Sequence, residues 1–181
     1  MVKKSLAILS SVGAMALSSG CGGGLGDFGG GEMTILDAAA IYESNQDIIM
    51  SIRGLYPGPF EGFFRVPNRD PTKQTRENKA FVKQLRQHFP LEYIDFFPMG
   101  DTKRDEIDVV LTKFGANTRW SLVSLVYTGI PLPQPEEGAN MAVFDACDQR
   151  SIEWLDLNTG RKRAEVFCQL NENWYAYQRF E

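Results

Sequence analysis

The chain has 181 residues, 43% of them hydrophobic, and a formal net charge of −4 at pH 7. The length suits one domain with a real core. The acid excess argues against nucleic-acid binding, which relies on phosphate neutralisation, and a single histidine, His88, leaves little for imidazole chemistry.

The first element is an export signal. Lys3 and Lys4 precede the charge-free run SLAILSSVGAMAL. A basic start, a short apolar core and small residues after it form a secretory signal peptide. The apolar part is well short of the ~20 residues that a membrane-spanning helix needs. Ser18-Ser19-Gly20-Cys21 follows and resembles the lipobox of bacterial lipoproteins, although Ser18 stands where leucine is favoured and Leu17 lies one place earlier. The resemblance implies cleavage before Cys21, diacylation of its thiol and a lipid anchor in a membrane. Ala14-Met15-Ala16 is the competing site, an A-x-A pattern that would release a soluble periplasmic protein.

Cysteine parity favours the anchor. The chain has three cysteines, and an odd one in an exported protein needs an explanation. Lipidation of Cys21 supplies it and leaves Cys147 and Cys168 as a pair in a disulfide-permissive compartment. The alternative is two buried free thiols. After Cys21 comes GGGLGDFGGG, with seven glycines in ten residues. Such a tether has a typical span of about 17 Å and a limit of ~35 Å, which holds the domain close to its membrane. Gly22 is not the aspartate associated with inner-membrane retention, so the resemblance implies the outer membrane, facing the periplasm. The expected organisation is a signal peptide over 1–20, lipidated cysteine and tether over 21–31, and one α+β domain over 32–181.

Within the domain, Thr34 and Asp37 have the spacing of a capping box. Ile41, Ile48, Ile52 and Leu55 follow at helical spacing, predicting a helix from Ile35 to Arg53. YPGPFEGFFRVPNRDP reads as a loop, and Asp70-Pro71 as the start of a second helix that runs to Phe89 before Pro90. From Leu91 the apolar period becomes two. LEYIDFF, EIDVVLTKF and RWSLVSLVYTG read as strands, the third central because it is apolar on both faces. MAVFDAC is a further extended segment. IEWLDL and RAEVFCQL around NTG read as a hairpin, and Trp174 to Phe180 as the last strand. Two N-terminal helices packed on an antiparallel meander is the expected α+β layer, an order that resembles cystatin-like and cone-shaped NTF2-like folds.

Four groups of residues are candidates for function. Arg76, Lys79, Lys83 and Arg86 share one face of the second helix, suited either to anionic head groups or to plain solvation. Tyr56, Phe60, Phe63 and Phe64 crowd the glycine- and proline-rich loop, as a plug on the sheet or as a partner surface. Tyr175 and Tyr177 alternate with Trp174 and Ala176, offering phenols to a partner or packing across strands. Asp101, Asp105, Glu106 and Asp108 crowd GDTKRDEID, which lacks the spacing of a calcium loop and reads as a solvated turn. His88, at a helix end, complements the helix dipole. No nucleophile elbow, phosphate loop or Cys/His zinc spacing is present, so no cofactor or metal is expected. These features point to an envelope lipoprotein with a non-catalytic binding or assembly domain, its partners the membrane and other envelope proteins. A periplasmic hydrolase built on carboxylates, or a small-ligand carrier, is the alternative.

Overall fold

The computed structural model describes residues 32–55, 63–67, 75–97, 106–116, 119–136, 138–158, 160–161 and 163–180. The first helix, α1 (Ile35–Ser51), begins where the capping residues place it: Thr34 and Asp37 exchange side-chain and backbone hydrogen bonds across the first turn. It is interrupted at Asn45, whose side-chain amide donates to the Ile41 carbonyl at 2.9 Å, and a 3-10 turn (Ile52–Leu55) ends it. The second helix, α2 (Arg76–Leu85), starts later than the Asp70-Pro71 signal predicts and stops before Phe89. Its cap is Thr75, which accepts from the Asn78 N–H at 3.1 Å; Asp70 and Pro71 lie outside the described residues.

The strands are β1 (Phe64–Val66), β2 (Tyr93–Phe97), β3 (Glu106–Ala116), β4 (Arg119–Thr128), β5 (Met141–Phe144), β6 (Ala164–Gln169) and β7 (Trp174–Phe180). They form one sheet in the order β1-β2-β3-β4-β7-β6-β5, with β4 in the middle, as its two apolar faces require. β1 falls inside the expected loop. Its three residues pair with β2, Phe64 opposite Phe96 and Val66 opposite Ile94.

The largest departure is IEWLDL. It belongs to a third helix, α3 (Gln149–Asn158), so the expected hairpin does not exist. Six residues with Ile152, Trp154 and Leu155 fit either period, and the start of the segment decides: Asp148 accepts from the Arg150 N–H through its side chain and from the Ser151 N–H through its carbonyl. β5 and β6 are consequently parallel, joined by the helical crossover that parallel neighbours need. The fold is α+β with a mostly antiparallel sheet, and not a simple meander behind two helices. Cys147 and Cys168 form a disulfide with their Cα atoms 5.0 Å apart. Parallel pairing of Phe144 with Cys168, rather than a hairpin, brings them together.

All three helices contribute to one core on one face of the sheet. Ile35, Ala38 and Ile49 of α1, Val82 and Leu85 of α2 and Leu155 of α3 pack with Ile94, Val109, Val123, Leu125, Val166 and Trp174. The Gln178 side chain reaches from β7 to accept the Ile35 N–H at 2.9 Å, tying the first turn of α1 to the sheet. The opposite face carries a second, smaller apolar cluster around Val110, Leu122, Val126 and Tyr177.

Candidate functional site

Side chains alternate across strands, so the same residues that build the helix-covered core fix what the other face displays. Opposite Ile107 and Val109, β3 presents Glu106 and Asp108. Opposite Ala164 and Val166, β6 presents Glu165 and Phe167. Opposite Ala176, β7 presents Tyr177 and Arg179. With Phe97 of β2 and Arg163 just before β6, these groups line a groove of about 260 Å³ whose floor is Leu122 and Val126 of β4.

The charges are arranged in two walls. On the β6/β7 side, Glu165 is the hub: it accepts from the Tyr177 hydroxyl at 3.0 Å and from Arg163 Nε at 2.7 Å, with an Arg179 nitrogen 3.9 Å away. Burial first, and then the Glu165 charge, push the Tyr177 phenol well above its ordinary range, so it stays a neutral donor. On the β2/β3 side, Asp95 is buried and held by Arg65 of β1 through two bonds of 2.5 and 2.6 Å. The Arg65 guanidinium also stacks 3.8 Å from the centre of the Tyr93 ring.

Asp108, also on the β2/β3 side, is the unusual group. Burial pushes its carboxyl up to about 7, and the charges of Asp95 and Glu106 act in the same direction. Ser124 and Arg179 oppose the shift, yet the Ser124 hydroxyl lies beside the carboxyl without a well-aligned bond, and Asp108 Oδ1 is buried with no hydrogen-bond partner. A buried polar atom left in that state costs free energy that a bound donor recovers.

The sequence candidates are distributed differently. Cys21, Tyr56, Phe60, Asp101 and Asp105 lie outside the described residues. Phe63 is exposed and packs 5.3 Å from the Phe97 ring, whereas Phe64 turns inward against Phe96, so the aromatic run is split between surface and core. Tyr175 and Tyr177 do not form an exposed surface. They are 2% and 7% exposed, with Tyr177 4.4 Å from the Phe167 ring and the Tyr175 oxygen accepting the Leu132 N–H. Cross-strand packing against Phe167 is the reason. Arg76, Lys79 and Lys83 are exposed on α2, but Arg86 is a tie within the fold, donating to the Leu91 and Glu92 carbonyls at 2.9 Å each. His88 is exposed in the turn after α2. Glu106 and Asp108 sit on β3 and not in a solvated turn.

Sequence reasoning missed the groove because Phe97, Asp108, Leu122, Glu165 and Arg179 share no local motif. One signal was present: in EIDVVL the acids alternate with Ile107 and Val109, which sets both carboxylates on one face of a strand. Among the described residues, no three His, Cys, Asp or Glu side chains are grouped to hold a metal ion, and no helix is long and apolar enough to cross a membrane. The chain matches no known family model, no curated protein and no solved structure.

Proposed function

We propose that this chain is a lipid-anchored protein of the cell envelope, attached through Cys21 to the outer membrane, whose domain binds a small polar ligand without catalysis. The observation that carries the binding reading is the groove on the helix-free face, where polar groups from β3, β6 and β7 converge over an apolar floor. The anchor reading draws on the signal sequence and on the pairing of the other two cysteines. A curved sheet of the cystatin-like or NTF2-like kind, with helices on one face only, belongs to the same proposal. The exposed cations of α2 lie on the helix side. A domain resting on anionic head groups through Arg76, Lys79 and Lys83 therefore turns its groove away from the bilayer. Other envelope proteins meet the domain, in this reading, around exposed Phe63 and Phe97 at the β1 edge.

A second reading has a specific observation behind it. A carboxyl near neutral pKa in a cleft is what a general acid requires, so a carboxylate hydrolase centred on Asp108 is the competitor. The binding reading takes precedence because Glu165 and Asp95 are both committed to arginine partners. Native mass spectrometry of the protein purified from the envelope tests it: the wild type is expected to carry a bound small molecule that Leu122→Trp, which fills the floor, does not. No bound mass on wild type, or the same mass on both, rules the groove out as a ligand site. Labelled palmitate incorporated by wild type and not by Cys21→Ser tests the anchor separately.

A further inference from the structure

Resting on the reading of the groove as a ligand site, we propose that it takes a small zwitterion, a free amino acid with an apolar side chain. Its ammonium group meets Asp108, its carboxylate meets Arg179, and its side chain lies over Leu122 and Val126.

The charge pattern selects this class by elimination. A small anion brought to the groove meets Glu106 and Asp108 on one wall. A simple cation meets Arg163 and Arg179 on the other, where Glu165 is already bonded to Arg163 and to the Tyr177 hydroxyl. A neutral apolar molecule fits the floor but leaves Asp108 Oδ1 buried without a partner. A zwitterion places each charge against its opposite and supplies the missing donor.

Geometry agrees. Asp108 stands opposite Val126 and Arg179 opposite Leu122, on the two strands that flank β4. Their backbones are thus about two strand spacings, ~10 Å, apart across the sheet and four residues, ~13 Å, apart along it. Both side chains line the same groove, and the Arg179 charge is felt at the Asp108 carboxyl. The volume of about 260 Å³ agrees too, because it falls below the usual range for drug-sized ligands and suits a single small metabolite. Between the two charges, the apolar floor and the Phe167 ring favour an aliphatic side chain over a polar one.

Titration calorimetry on the envelope-purified protein, with L-leucine, L-leucinamide and N-acetyl-L-leucine as probes, separates the contributions. Leucine is expected to bind, and each blocked analogue to bind at least about tenfold more weakly. Asp108→Asn is expected to weaken leucine by a similar factor while leaving N-acetylleucine no weaker, and Arg179→Lys to weaken leucine while leaving leucinamide nearly unchanged. Leucinamide binding as tightly as leucine overturns the proposal in favour of a cation site, and N-acetylleucine doing so overturns it in favour of an anion site. A bound mass in native spectra together with silence towards all three probes overturns the amino-acid assignment and leaves the ligand site standing.

Discussion

Replacing Asp108 with asparagine is expected to stabilise the domain, and to do so only where the carboxyl would be charged. The folded chain raises this carboxyl from an ordinary 3.8 to about 7, chiefly by burial. The folded state therefore holds the proton more tightly than the unfolded chain, and stability falls as pH climbs from ~4 to ~7 and the proton is lost. A rise from 3.8 to about 7 corresponds to a cost of about 4 kcal/mol, complete above pH ~7 and absent below ~4. Asparagine carries no charge at any pH and keeps an acceptor for Ser124, so the variant should gain about 2–4 kcal/mol near pH 8 and almost nothing near pH 4. The value of about 7 already includes the groups facing the carboxyl, of which Asp95 and Glu106 raise it and Ser124 and Arg179 lower it. Urea unfolding of wild type and Asp108→Asn near pH 4, 6 and 8, with equal m-values, reads the gap directly. A gap that does not widen with pH, or a variant less stable than wild type near pH 8, would refute the assignment of Asp108 as a charge held against its solvation.

Ligand binding should follow the same group with the opposite sign: if an ammonium meets Asp108, leucine affinity measured by calorimetry rises as pH passes upward through about 7, and this rise is absent from Asp108→Asn. Cys168→Ala, or reduction, removes a link spanning a sequence separation of 21 and should cost about 3 kcal/mol in denaturant unfolding. The α2 cations divide into two classes. The Arg76/Lys79/Lys83→Gln triple variant should lose salt-sensitive co-sedimentation with anionic vesicles, at about 1 kcal/mol per cation, with an unchanged melting curve. Arg86→Gln should instead lower stability by about 1 kcal/mol, because the guanidinium caps two carbonyls after the helix.

Features determined within a few residues were legible in the amino-acid order. Thr34 and Asp37 set the start of α1 through bonds three residues apart, and the double apolar load of Leu122, Val123, Leu125 and Val126 placed β4 inside the sheet. Cysteine parity was enough to pair Cys147 with Cys168 without showing how they meet. Short segments were not legible, because their local preferences are balanced and distant partners tip them. Phe64–Val66 became a strand only because β2 offered it an edge. Ile152 to Leu157 fit either period, and the helix that the Asp148 cap starts is kept by the parallel pairing of β5 and β6 on either side of it. The burial of Tyr175 and Tyr177 was decided in the same way, by Phe167 arriving on the neighbouring strand. The groove is the extreme case. Alternation told Asp108, Glu165 and Arg179 which way to point, but antiparallel register across β3, β4, β7 and β6 alone brought them round one floor. Register is a property of paired strands, and no single strand contains it.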